Sequence, residues 1–156
     1  MRALYDIHGN LPALEAVLED VARAEADRIV VGGDLPPGPM PRETFELLLR
    51  LDTPVEFIYG NGELMVLAQI AARGSGRVTY WGTTSGQPLP EPLQEVVRWT
   101  GRQLHAKHEQ MIRSWPGTLE LELPAIGARA LLPRHTAERT RSFYSSDAGR
   151  QAATGL

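Results

Sequence analysis

The chain has 156 residues, about the length of one domain, and 42% of them are apolar, which excludes wholesale disorder. The net charge of -3 excludes a strongly basic nucleic-acid binder, and the absence of cysteine excludes disulfide scaffolds, thiolate metal sites and cysteine nucleophiles. No apolar run approaches the roughly 18 residues of a membrane-spanning helix, and no signal-peptide pattern opens the sequence. We therefore expect a soluble cytoplasmic protein without a membrane partner.

The first half of the chain predicts alternating strands and helices. Short apolar runs predict buried strands, and apolar residues at helical spacing predict the helices between and after them. The strands are expected at 3–5, 28–31 and 55–59, and the helices at 11–24, 42–51 and 63–72. The apolar stripes of the first two helices are Leu11, Leu14, Val17, Leu18 and Val21, then Phe45, Leu48 and Leu49. Such alternation is typical of an α/β fold with a parallel sheet covered on both faces.

The second half predicts two helices and a pair of strands after a turn-rich stretch at 74–92. The helices are expected at 93–104 and 106–114. Leu119, Leu121 and Leu123 alternate with glutamates, which predicts a half-exposed strand, and residues 128–132 are predicted to pair with it.

Polar, glycine-containing segments follow each of the three early strands. Because the carboxyl ends of parallel strands meet at one edge of a sheet, we expect Asp6, His8, Asp34 and Asn61 to lie close together. Carboxylate oxygens and imidazole nitrogens suit Mn, Fe, Zn, Co or Ni. Taken singly, an Asp at a strand end is most often a helix cap or a loop residue, and a Gly-Asp pair is a common turn. Three such segments together favour a ligand site over that structural interpretation.

The same residues carry a family resemblance. Segment 5–17, which reads YDIHGNLPALEAV, followed by Gly33-Asp34 and Gly60-Asn61, resembles the calcineurin-like metallophosphoesterase superfamily, in particular its small bacterial and archaeal phosphoesterases. The resemblance covers residues 1–132. It implies a two-sheet α/β sandwich flanked by helices and a site with two divalent metal ions. It also implies that Asp6 and His8 bind the first metal, that Asp34 bridges the two metals, and that Asn61 binds the second metal.

Several histidines of the family pattern are missing. The family often has a histidine after this asparagine, which serves as a general acid, whereas this chain has Gly62. A glycine cannot transfer a proton, so leaving-group protonation falls to water or to another residue, and the catalytic residue is unknown. His105 and His108 are expected on a solvated helix face. His135 follows the last predicted strand, where the family's next histidine belongs, but its flanking residues do not match.

The last part of the chain differs in character from the rest. Residues 134–156 have four basic and two acidic residues and no apolar period, so 133–156 is predicted to be an irregular, poorly ordered tail. With GC-rich codons, a one-base shift over 133–141 can spell His-Ala-Thr-Pro-Arg-Ser, which resembles the family at this place. We hypothesise that the tail is frameshifted and that the second half of the fold is incomplete. The gene sequence tests this.

These observations predict a metal-dependent phosphoesterase that hydrolyses phosphomonoesters or phosphodiesters with metal-activated water, impaired by missing C-terminal ligands. Nucleic acid is expected only as a substrate, and a homodimer is possible because sheet edges would be exposed. The alternative is a non-catalytic module of the same fold that binds a metal, a phosphate ligand or a partner protein. Nucleotide binding on a doubly wound sheet is disfavoured, because the first strand lacks a Gly-x-Gly-x-x-Gly turn and the chain lacks a Walker-type lysine.

Overall fold

A three-stranded parallel sheet forms the centre of the fold. The computed structural model describes residues 1–73, 78–79, 88–123 and 128–133. The strands β1 (Arg2–Leu4), β2 (Ile29–Val31) and β3 (Val55–Phe57) lie in chain order. Their last residues, Leu4, Val31 and Phe57, are register partners, so the three strands end at the same edge. The predicted parallel sheet and its common carboxyl edge are therefore confirmed.

Five helices accompany this sheet in the described part of the chain. They are α1 (Leu11–Arg23), α2 (Pro41–Leu49), α3 (Asn61–Ala71), α4 (Glu91–Gln103) and α5 (Ala106–Ser114). Right-handed crossovers between strands that lie in chain order place their helices on one face of the sheet. Accordingly, Leu14 of α1 and Phe45 of α2 belong to the same buried cluster as Ile29 and Val31. None of these helices is long and apolar enough to cross a bilayer.

A two-stranded antiparallel sheet covers the opposite face. It consists of β4 (Thr118–Leu123) and β5 (Ala128–Pro133). Alternate residues of a strand point to opposite faces, so Val30 points away from the helices, and it packs with Ile58 and Leu121 in a second small core. Leu121 is buried while Glu120 and Glu122 are exposed, as the alternating pattern predicted. The arrangement is the expected α/β sandwich.

Some predicted core positions are exposed. β1 is not a buried strand, because it lies at the edge of the sheet, with Ala3 exposed and Leu4 only half-buried. Val17 and Leu49 are 41% and 44% exposed, so the apolar stripes of α1 and α2 are narrower than predicted. In each helix the exposed residue lies at the margin of the stripe. The buried members belong to the same core cluster as the sheet residues Ile29 and Val31; they are Leu14, Val21, Phe45 and Leu48.

The two histidines at the start of α5 differ in burial. His105 is exposed, as expected, but His108 is fully buried, so the prediction of a solvated face was wrong for His108. Its ring stacks on Phe45 at a centroid distance of 5.2 Å, and Phe45 stacks in turn on Trp115. Burial lowers the pKa of His108, and the positive charge of Lys107 lowers it further.

Candidate metal centre

Three predicted site residues meet at the carboxyl edge of the parallel sheet. Asp6 and His8 follow β1, and Asp34 follows β2. One ligand atom from each of the three lies within 4.8 Å of the others. Asp34 is 3% exposed, whereas Asp6 and His8 face solvent. Two carboxylates and an imidazole on a partly open surface form a donor set that suits a divalent cation with positions left for water or substrate.

The backbone around these residues is held in an unusual conformation. Asp6, His8 and Asp34 have φ angles of 55°, 48° and 57°, in the left-handed region that residues other than glycine rarely adopt. The two loops are tied together by backbone hydrogen bonds, including the N–H of His8 to the carbonyl oxygen of Asp34 at 2.9 Å. Because such conformations persist only where the surroundings fix them, and because they concentrate at functional sites, this strain supports a ligand site.

The ring of His8 has a defined orientation. Its Nδ1 lies 3.3 Å from the carbonyl oxygen of Pro37, and because a carbonyl only accepts, Nδ1 carries the proton and donates. The other nitrogen, Nε2, lies 3.6 Å from Oδ1 of Asp6. A backbone carbonyl that fixes the tautomer while the second nitrogen faces carboxylates is the usual environment of a metal-binding histidine. Sequence reasoning missed Pro37, since this contact bridges two loops.

The start of α3 lies beside Asp34. The backbone N–H of Gly62 donates to Oδ1 of Asp34 at 2.6 Å. A side chain at Gly60 would collide with the same oxygen atom. Asn61, the fourth predicted ligand, lies between these two glycines as the first residue of α3 and is half-buried. Its backbone position is therefore next to Asp34, and its role as a ligand stays a prediction.

Glu63 is a site residue that sequence reasoning missed. Its fully buried carboxylate accepts backbone hydrogen bonds from Gly60 at 2.6 Å, Leu35 at 2.8 Å and Asp34 at 3.0 Å. Burial and the neighbouring Asp34 carboxylate raise the pKa of Glu63 to about 7, while the hydrogen bonds from Gly60 and Asp34 oppose this increase. A glutamate three residues after a helix cap is a known helix-start signal and could have indicated part of this role.

Gly62 occupies the position where the resemblance predicted a histidine in many relatives. A Cβ atom here would collide with the carbonyl oxygen of Pro36 and lie 2.9 Å from both Asp34 Oδ1 and Pro37 Cδ. The volume that a side chain at this position would need is therefore filled by the loop after β2. His135 lies outside the described residues, as does the tail predicted at 133–156 except for its first residue. That residue, Pro133, belongs to β5, which extends one residue beyond the predicted strand.

Comparison with known proteins agrees with the fold. The chain is 33% identical to a metallophosphoesterase from Sphaerobacter thermophilus, with a TM-score of 0.52 over 75% of this chain and 41% of that one. This chain has the metallophosphoesterase fold. A hypothetical protein from Pyrococcus horikoshii OT3 shares the fold at 20% identity, with a TM-score of 0.62 over 78% of this chain and 51% of that one. No protein-family model and no curated protein matches the sequence.

This chain covers only about half of the length of each of these two solved structures, 41% of the first and 51% of the second. The resemblance stated from the residues is confirmed at the level of the fold. The ligand roles of individual residues, the number of metals and the substrate are argued below as proposals.

Proposed function

We propose that the chain is a metal-dependent phosphoesterase domain in which Asp6, His8, Asp34 and Asn61 hold divalent cations. The observation that carries the proposal is the meeting of the first three side chains, with ligand atoms within 4.8 Å, at the carboxyl edge of a parallel sheet. The substrate class is a phosphomonoester or phosphodiester. The boundary of the domain at residue 132, the homodimer and the cytoplasmic location belong to the same proposal.

The cations would polarise the phosphoryl group and lower the pKa of bound water. The residues of the chain supply the rest of the site. His8 is oriented by Pro37, so its Nε2 side faces the carboxylate of Asp6. Asp34 has two oxygen atoms and lies between the loop after β1 and the start of α3, so it would be suited to bridge two cations. Asn61, the first residue of α3, would bind the second cation.

The alternative function is a module that binds a metal and phosphate without turnover. The observation that favours it is Gly62, because the loop at Pro36 fills the place of the proton-donating side chain. Without that donor, the proton that the leaving oxygen needs must come from water or from another group. Substrates with acidic leaving groups, such as nitrophenyl esters, avoid this requirement and are therefore the appropriate first assay.

The experiment combines Mn²⁺ titration of the chelator-treated protein with hydrolysis of nitrophenyl phosphate monoesters and diesters. We expect Asp34→Ala to abolish both Mn²⁺ binding and hydrolysis, because it removes the buried carboxylate of the cluster. The matched control is Asp52→Ala, an exposed aspartate in the loop before β3. Binding without turnover favours the module, and hydrolysis or binding unaffected by Asp34→Ala refutes the assignment.

A further inference from the structure

The carboxylate of Glu63 connects the loop that carries Asp34 with the segment just before Asn61. Its Oε2 accepts the N–H groups of Asp34 and Gly60, and its Oε1 accepts that of Leu35. One side chain of α3 therefore binds the backbone after β2 and the backbone after β3 at the same time. Such a link fixes the distance between the two strand ends independently of any ligand.

We propose that Glu63 is a positioning residue that sets the place of the Asp34 carboxylate in the metal centre. The assignment rests on the proposed function. Asp34 is held twice from the same helix start: its backbone N–H by Glu63, and its side-chain Oδ1 by the N–H of Gly62. Because both bonds come from α3, any movement of this helix start would move Asp34 relative to Asp6 and His8.

A side chain with two accepting oxygen atoms is suited to this position because all three partners are N–H donors. An amide has one accepting oxygen and one donating nitrogen. If the oxygen of a glutamine replaced Oε2, its NH₂ group would face the N–H of Leu35. Leu35 is fully buried, so its N–H would lose its acceptor without access to water. The loop after β2 would then shift, and Asp34 with it.

The test compares Mn²⁺ affinity, measured calorimetrically with the metal alone, between the natural chain and Glu63→Gln. We expect affinity to fall about 10- to 100-fold, as it does when groups that orient metal ligands are removed. The backbone amide resonances of Asp34 and Leu35 should shift in the metal-free protein as well. Val97→Ala is the control, because Val97 is a buried residue of α4 whose truncation weakens the packing of the core. We expect this variant to bind Mn²⁺ with unchanged affinity.

Glu63→Asp provides a second variant if the glutamine variant does not fold. It keeps the charge but shortens the side chain by one methylene, so the three bonds cannot all form, and we expect affinity to fall again. Unfolding of both variants would make Glu63 a structural residue and overturn the assignment. If a folded Glu63 variant binds Mn²⁺ as tightly as the natural chain while Asp34→Ala does not bind it, the positioning role of Glu63 is overturned and the proposed function stands. If the natural chain itself does not bind Mn²⁺, both the positioning role and the proposed function are overturned.

Discussion

The N–H of Gly62 donates a 2.6 Å hydrogen bond to Oδ1 of Asp34, although 28 positions separate the two residues. The bond requires the first turn of α3 to lie so close to the loop after β2 that its backbone contacts this loop directly. Only a residue without a side chain permits that approach, because a Cβ at position 62 would meet Pro36 and Pro37. The glycine that replaces the expected proton donor thus contributes to holding a predicted ligand.

Gly62→Ala should lower the free energy of unfolding by about 1–3 kcal/mol, the usual effect of overpacking. Gly101→Ala in α4 is the matched control, because its Cβ would lie 3.5 Å from the nearest atom, in ordinary contact. There the better helix propensity of alanine should stabilise the protein by about 0.5–1 kcal/mol. Urea unfolding of both variants measures the difference, and stabilisation by Gly62→Ala would contradict the described packing.

The sheet and the helices were predictable because each short apolar run is bounded by glycine or by polar residues. The strand ends carrying Asp6 and Asp34 followed from that pattern and from the geometry of parallel sheets. The bonds of Glu63 to Asp34 and Leu35 were not predictable, because glutamate is rarely buried and these partners are backbone groups of a distant loop. Burial of His108 could have been predicted from its spacing of four residues from Ile112, which places both on one helix face.

Mn²⁺ should raise the thermal stability of the chain because a cation bound only by the folded state shifts the unfolding equilibrium. At 100 times the dissociation constant the gain is about 2.7 kcal/mol, or about 5–10 °C for a chain of this length. Scanning calorimetry with and without Mn²⁺ measures the shift in the unfolding temperature, and a further scan after addition of a chelator should reverse it. Asp34→Ala should show no shift, and an equal shift in that variant would indicate that the metal binds elsewhere.

His8→Asn should weaken Mn²⁺ binding at least about tenfold with little change in stability. Asparagine tolerates the left-handed conformation of this position, so the backbone is preserved, but its amide is a poorer ligand than imidazole. Because His8 is exposed, we expect the unfolding free energy to change by less than about 0.5 kcal/mol. His105→Asn, an exposed histidine at the start of α5, is the control and should bind Mn²⁺ as the natural chain does.

His108 should make the fold less stable in mild acid. Its Nδ1 accepts the N–H of His105, its buried Nε2 has no hydrogen-bond partner in the described residues, and its pKa is lowered by burial. The unfolded chain therefore takes up this proton at a higher pH than the folded protein. Between the ordinary histidine value near 6.5 and the lowered value, stability falls as pH falls, by at most about 1.4 kcal/mol per pH unit.

Denaturant unfolding of the natural chain and of His108→Phe from pH 7.5 to 5 measures this effect. Phenylalanine keeps a ring against Phe45 and has no proton to bind, so the stability difference between the two proteins should be constant above about pH 6.5. Below that pH the natural chain should lose stability relative to the variant. The imidazole resonances of His108 report its protonation in the folded state, and a stability difference independent of pH would show that its burial imposes no such penalty.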